Sequence, residues 1–252
     1  MKYLRACVIA FAMYSKIPMP KVEWEKESME YAMCFFPLIG VVTGGCFFLW
    51  GVCASWLTMG KILYAAGLTL LPVSITGGIH MDGFLDTMDA LSSWQTRERR
   101  LQILKDPHAG AFAVIGGCMY FVAYFGLASE LSHEGIRIAA LGFILSRCLS
   151  GLAVTAFPCA KDSGLVYLFS SGANKKRAAR ILLWEAVLVM AGLLRLDLFA
   201  GGAAVLISLL AFFWYYKMSV DKFGGITGDL AGWFLQVCEL LILIPAAAAA
   251  RF

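Results

Sequence analysis

The stretch Gly77-Gly78-Ile79-His80-Met81-Asp82-Gly83-Phe84-Leu85-Asp86-Thr87-Met88-Asp89 begins where a long apolar run stops. If it is helical, Asp82, Asp86 and Asp89 share one face, because i, i+4 and i+7 return almost to the same azimuth at about 3.6 residues per turn. Like charges this close repel unless a cation sits among them. The spacing therefore predicts a divalent ion, Mg²⁺ or Mn²⁺, held by hard oxygen ligands. Mg²⁺ takes one or two carboxylates and completes its shell with water and substrate phosphate. A solvated acidic helix start favoured by the helix dipole is the simpler explanation, but three aspartates with glycines beside an apolar segment exceed what a cap requires. His80 reads as a base or phosphate donor, or as a hydrogen bond within its own loop. Gly77, Gly78 and Gly83 would let backbone approach a ligand closely or let helices pack tightly in a membrane.

Composition sets the surroundings of this stretch. Across 252 residues, 60% are apolar, 15% are charged and the mean hydropathy is +0.76, which points to a polytopic membrane protein. Met1 to Met13 carries Lys2 and Arg5 and runs into Ser-Lys-Ile-Pro-Met-Pro. It reads as an interfacial helix and not as a cleavable signal. The eight cysteines form no CxxC pair and lie mostly in apolar runs, so neither a disulfide framework nor a zinc site is expected.

Apolar runs approaching the roughly 20 residues needed to cross a bilayer fall at 34–57, 61–79, 112–129, 138–158, 181–196, 199–216 and 229–249. The expected fold is all-α: a single membrane-embedded catalytic domain over 1–252, a bundle of about seven transmembrane helices with an N-terminal interfacial segment. Runs 181–196 and 199–216, joined through Arg195-Leu196-Asp197, suggest a helical hairpin. With the amino terminus inside, sixteen of the 21 cations fall on inner segments, four on outer ones, and Arg147 alone lies within a span. Cations concentrate on the cytoplasmic side, so this split orients the chain in the plasma membrane and puts every long polar segment, the aspartates included, on the cytoplasmic face.

A second glycine-aspartate stretch, Gly224-Gly225-Ile226-Thr227-Gly228-Asp229-Leu230-Ala231-Gly232, falls at the same membrane level. Asp229 is a candidate fourth metal ligand, or an N-cap of the last helix. Arg147 and Glu239 reach similar depth from the inner ends of their spans. A charge buried in lipid is paired or faces a polar cavity, so Arg147 either pairs with Glu239 or reaches an anionic substrate. Lys105 closes the aspartates' loop and can supply a cation to phosphate. Arg97, Arg99, Arg100 and the Asn174-Lys175-Lys176-Arg177 cluster read as anchors for anionic membrane lipid. No nucleic-acid partner is expected, because the cations are spread over separate loops without interleaved aromatic platforms.

Taken together, these motifs resemble the cobalamin synthase family, the adenosylcobinamide-GDP ribazoletransferases. Ser15-Lys16-Ile17-Pro18-Met19-Pro20 is similar to the family's T-R-[IL]-P-[VM]-P, and Gly77–Asp89 to G-G-x-H-x-D-G-x-x-D-T-x-D. Lys105-Asp106 with Gly110, Ser146-Arg147 and Gly224–Asp229 follow in the family's order. Lys16 stands where the family has arginine, and Ala90 where glycine is common. Pro107-His108-Ala109-Gly110-Ala111 replaces S-R-[IL]-G-T. His108 is only partly charged near neutral pH, so no catalytic role is carried onto it.

The resemblance implies a Mg²⁺-dependent reaction. A ribose hydroxyl of α-ribazole, or of its 5′-phosphate, attacks the phosphorus attached to adenosylcobinamide in adenosylcobinamide-GDP, and GMP leaves. It implies catalytic roles for Asp82, Asp86, Asp89 and His80, metal ligation by those three aspartates and Asp229, and substrate contacts from Lys16, Lys105, Arg147, Gly225, Thr227 and Gly228. The bulky substrate suits a homo-oligomer or an association with other late-pathway membrane enzymes. Two other readings compete. A CDP-alcohol phosphotransferase shares the logic of aspartates and Mg²⁺, but its D-G-x-x-A-R stretch is absent, since Asp82-Gly83 is followed by Phe84-Leu85-Asp86. A cation transporter would need acidic residues at successive depths, and here almost all lie at one surface.

Overall fold

The computed structural model describes residues 1–162, 164–170 and 174–249. In chain order the helices are α1 (Lys2–Tyr14), α2 (Lys26–Ala32), a 3₁₀ turn at Met33–Phe35, α3 (Phe36–Trp56), α4 (Lys61–Thr76), α5 (Ile79–Ser92), α6 (Arg97–Ile103) and α7 (Ala111–Ser129). They continue as α8 (His133–Ala156), α9 (Leu165–Ser170), α10 (Lys175–Leu196), α11 (Ala200–Phe223) and α12 (Gly228–Ala248). No strand occurs among the described residues; one parallel backbone bridge joins Cys159 to Ile226.

The caps follow from sequence chemistry. The Thr96, Ser132 and Thr227 side chains accept the backbone N–H groups of Arg99, Gly135 and Leu230, starting α6, α8 and α12, as short hydroxyl side chains do at helix starts. The α10–α11 hairpin forms as its spacing predicts. Asp197 Oδ1 accepts N–H groups from Phe199 and Ala200, each at 2.8 Å, and turns the chain between the two helices.

Among the described residues, length and composition support five or six spans and do not reproduce the expected seven. Glu27–Trp56, α7, α8, α11 and α12 are each long and apolar enough to cross a membrane. The pair α4 and α5 passes only when taken together, and the two helices are bent by 96°. Helix α10 has the length at 22 residues but carries Arg180, Glu185 and Arg195, so composition alone does not mark it as a span. The apolar run at 61–79 is cut at its end because Gly77 and Gly78 take positive φ values of 66° and 81°. Such values suit glycine, which lacks a Cβ. Helix α4 stops at the first glycine and α5 leaves from the second in a new direction.

Helix α8 lies at the centre, packed against α3, α10 and α12. Small residues let these helices touch by their backbones, as expected where lipid supplies no hydrophobic drive to association. A Cβ on Gly40 would come within 2.5 Å of the Phe143 carbonyl oxygen, and one on Gly135 would strike that of Ala246. Between α8 and α12, Arg147 Nη1 donates to Glu239 Oε1 at 2.7 Å and to the Phe143 carbonyl at 2.8 Å. Ser146 Oγ donates to the same Glu239 oxygen at 3.0 Å. Arg147 and Glu239 are only 1% and 5% exposed. Of the two roles open to Arg147, the structure realises the pair. The Arg147 guanidinium is enclosed, with a carboxylate opposite it.

Removing one partner strands the other charge in the bundle, at a cost of about 3–5 kcal/mol. Arg147→Met and Glu239→Met are each expected to lower thermal stability sharply in detergent. The double variant is expected to be milder than the sum, and equal, additive losses would show that the pair contributes nothing.

Candidate active site

Helix α5 places Asp82 and Asp86 on the exposed side of the bend, Asp82 open to solvent and Asp86 half-buried. The one-face expectation for this stretch is met, since Ile79–Ser92 is a continuous helix. What the aspartates face is decided by α12. A Cβ on Gly83 would lie 2.7 Å from the Asp229 carbonyl oxygen and 2.9 Å from its Cα, while one on Gly232 would lie 3.1 Å from the His80 carbonyl oxygen. Two glycines thus let α5 and α12 meet backbone to backbone. The meeting brings Asp229 beside the α5 carboxylates, and Asp86 feels the charges of Asp82, Asp229 and Asp89. Because Thr227 caps α12 through the Leu230 N–H at 3.3 Å, Asp229 is not needed as the cap. Its Oδ2 accepts the Thr227 hydroxyl at 3.4 Å.

Asp89 has a different task. Its two carboxylate oxygens accept the N–H groups of Gly110 and, at 2.8 Å, Ala113. It therefore caps α7 from the end of α5, and a Cβ on Gly110 would come within 2.7 Å of both oxygens. Both Asp89 oxygens are thus engaged with backbone, and metal ligation by Asp89 would compete with these bonds. His80 does not share the face of Asp82 and Asp86. It lies two residues before Asp82, about 200° around the helix, and is 4% exposed. Its ring sits between those of Tyr14, at 6.1 Å, and Phe36, at 5.8 Å, facing the interior of the bundle.

The predicted substrate residues separate into two groups. Lys105, Thr227 and Gly228 line a cavity of about 330 Å³ that also touches Asp229. Gly225 does not reach it. With φ at 150° it is buried against Pro158–Ala160, where a Cβ would lie 2.5 Å from the Pro158 carbonyl oxygen. Lys16 lies with its aliphatic stem over Gly77 and its N–H donates to the Ile75 carbonyl at 2.8 Å. It braces the α4–α5 bend and is not part of the cavity wall. His108 is exposed, held by its Nδ1 to Asp106 Oδ1 at 2.9 Å.

Sequence reasoning missed one charged residue of the cavity, Lys161, which reads there only as one more inner-face cation, along with the apolar lining of Val166, Tyr167 and Ile226. Lys161 arrives through the backbone. Ile226 N–H donates to the Pro158 carbonyl at 2.8 Å and Ala160 N–H to the Ile226 carbonyl at 3.0 Å, laying the loop after α8 against the loop before α12. Burial and the neighbouring Lys105 hold the Lys161 amine below the usual lysine range, while Asp229 opposes them. No local motif marks this lysine, and only the tertiary contact with the loop before α12 brings it to the cavity.

Among the described residues no three His, Cys, Asp or Glu side chains close into a metal cage. An ion that completes its shell with water and substrate phosphate does not need one. Asp82, Asp86 and Asp229 are hard oxygen donors with mutual charge repulsion, and among the described residues none makes a salt bridge. The donor set fits Mg²⁺.

A family model described as cobalamin-5-phosphate synthase matches residues 6–248. The chain belongs to this family. It is 51% identical over 241 residues to an adenosylcobinamide-GDP ribazoletransferase of Lachnoclostridium phytofermentans, covering 96% of this chain and 92% of the relative. Proteins of the same name from Clostridium botulinum and Desulfitobacterium hafniense are 33% and 32% identical, over 96% and 98% of both chains respectively. No solved structure gives a significant match. Membership bears out the cobalamin synthase resemblance drawn from the Gly77–Asp89 and Gly224–Asp229 motifs. The geometry adds that these two motifs lie against each other, Gly83 on the backbone of Asp229.

Asp89→Ala is expected to lower thermal stability by about 1 kcal/mol, the usual loss of a cap, whereas Asp82→Asn leaves the melting temperature unchanged; equal effects would remove the distinction between capping and open carboxylates. Gly83→Val is expected to force α5 away from α12 and lower activity at least about tenfold, since misplacing reacting groups by about 1 Å has effects of that order or larger. Wild-type turnover by this variant would show that the close helix contact does not set the site.

Proposed function

We propose that the protein is an adenosylcobinamide-GDP ribazoletransferase that works with Mg²⁺ at the cytoplasmic face of the plasma membrane. The observation that carries this reading is the contact of Gly83 with Asp229, which joins the two aspartate motifs into one carboxylate rim beside a cavity carrying Lys105. The names of the relatives supply the reaction. The excess of cations on the segments that share the site's side of the chain supports the cytoplasmic orientation.

In this reading a ribose hydroxyl of α-ribazole or its 5′-phosphate attacks the phosphorus attached to adenosylcobinamide. The new O–P bond forms as the bond to the bridging oxygen of the diphosphate breaks. GMP leaves with that oxygen, and the hydroxyl proton is released. Asp82, Asp86 and Asp229 would hold Mg²⁺, whose chemistry is to neutralise charge on the diphosphate and on the departing GMP. The chain's own contribution is positioning. Gly83 and Gly232 fix the carboxylates relative to one another, Thr227 starts α12 so that Asp229 stays open, and Lys105 brings a cation to phosphate from the end of α6. Phosphoryl-type transfer depends mostly on such placement and charge stabilisation. A transporter reading has no support from Glu239, whose carboxylate is occupied by Arg147 and Ser146.

Purified protein in liposomes, given adenosylcobinamide-GDP, α-ribazole 5′-phosphate and Mg²⁺, is expected to release GMP, and a chelator is expected to stop it. Asp82→Asn, Asp86→Asn and Asp229→Asn should each lower turnover by about 10²-fold or more, the scale seen when one electrostatic stabiliser is lost, with insertion and folding intact. Near-normal turnover in all three would remove the carboxylate rim from the mechanism.

A further inference from the structure

The cavity beside Asp229 has two chemistries in its lining. Lys105 and Lys161 supply cations, and Val166, Tyr167 and Ile226 supply apolar and aromatic surface. At about 330 Å³ it falls at the lower end of small-molecule sites. Among the described residues neither lysine makes a salt bridge, although the two are close enough for Lys105 to disfavour the charge on Lys161. Two ammonium groups gathered in a partly enclosed space repel each other, and a bound dianion reverses the sign of that interaction.

In the transferase reading the donor's diphosphate would be taken at the carboxylate rim, where Asp82, Asp86 and Asp229 would hold a divalent ion. A phosphate monoester lacks that need and is matched by two lysines, each donating charge-assisted hydrogen bonds. The apolar lining suits a flat aromatic ring. We propose that this cavity is the acceptor subsite, in which Lys161 and Lys105 bind the 5′-phosphate of a phosphorylated acceptor nucleoside and Val166, Tyr167 and Ile226 receive its aromatic base. The inference rests on the transferase reading above and extends it: Lys161 sets the preference for a phosphorylated over an unphosphorylated acceptor. The loop bearing Lys161 is hydrogen-bonded to Ile226 on both sides, three residues before Asp229. Acceptor phosphate and carboxylate rim are therefore held in one backbone frame.

The test compares α-ribazole 5′-phosphate with α-ribazole as acceptors for the full chain in liposomes. Lys161→Met is expected to lower the ratio of their kcat/KM values roughly tenfold or more, the effect of losing one charge-assisted hydrogen bond, with the change carried by the KM of the phosphorylated acceptor. Lys161→Arg should keep most of the ratio. An unchanged ratio with a raised KM for adenosylcobinamide-GDP would give the lysines to the donor and overturn the subsite while leaving the transferase reading intact. Absence of turnover by the unaltered chain with either acceptor would overturn both. Ribose 5-phosphate, which has the phosphate without the base, should compete with α-ribazole 5′-phosphate in the unaltered chain, and a failure to compete at millimolar concentration would count against the subsite independently of any variant.

Discussion

Backbone-to-backbone contact between α5 and α12 is the constraint on which the site depends. Gly83 meets Asp229, and Gly232 meets His80, at distances that leave no room for a Cβ on the first and little for one on the second. Helices with larger residues at their crossing stand about 8–10 Å apart, which would separate Asp229 from Asp82 and Asp86. Each helix has to be delivered to that crossing in the right direction. The left-handed glycines Gly77 and Gly78 turn α5 through 96° from α4, and the Thr227 cap starts α12 one residue before its glycine-backed aspartate is needed. The same glycine chemistry that permits a close approach also permits the bend, for the same reason: no Cβ stands in the way.

Holding that crossing in place is the business of the interior. Apolar surface gains little by leaving lipid for another helix, so α8 is fixed to α3 and α12 by small-residue contacts and by the enclosed Arg147–Glu239 pair with Ser146. A guanidinium in such surroundings is costly without its carboxylate, and that cost defines how α8 and α12 are registered along their axes. Because α12 carries Glu239 in its middle and Asp229 at its start, the buried pair also sets the depth of the carboxylate rim. Structure and chemistry are thus linked along a single helix.

Polar residues that resemble one another in sequence take on separate work at the membrane surface. Of the aspartates on α5, two remain open and the third, Asp89, ties α5 to the start of α7. Of the cations near the site, Arg97 lies over Gly224, Lys16 braces the α4–α5 bend, and Lys105 and Lys161 reach the cavity. Among its described residues the loop between α8 and α9 adds no secondary structure beyond one bridge, yet that bridge lays Lys161 beside the loop before α12.

Much of this was legible in the chain itself. Apolar length and capping residues determine the helices, periodicity determines that Asp82, Asp86 and Asp89 share a face, matched depth singles out Arg147 and Glu239, and the glycine-aspartate motifs determine the family. Each is written in neighbouring residues, or in distances counted along one helix, where geometry repeats with a fixed period. The tertiary structure alone decided that the run at 61–79 breaks, that Asp89 bonds to backbone 21 residues away, that Gly225 is spent on packing, that His80 looks inward, and that Lys161 belongs to the site. Those outcomes depend on where separate helices cross and which loop ends then meet. A local pattern carries no record of such encounters, because the residues that decide them are distant in sequence and adjacent only after the bundle has formed.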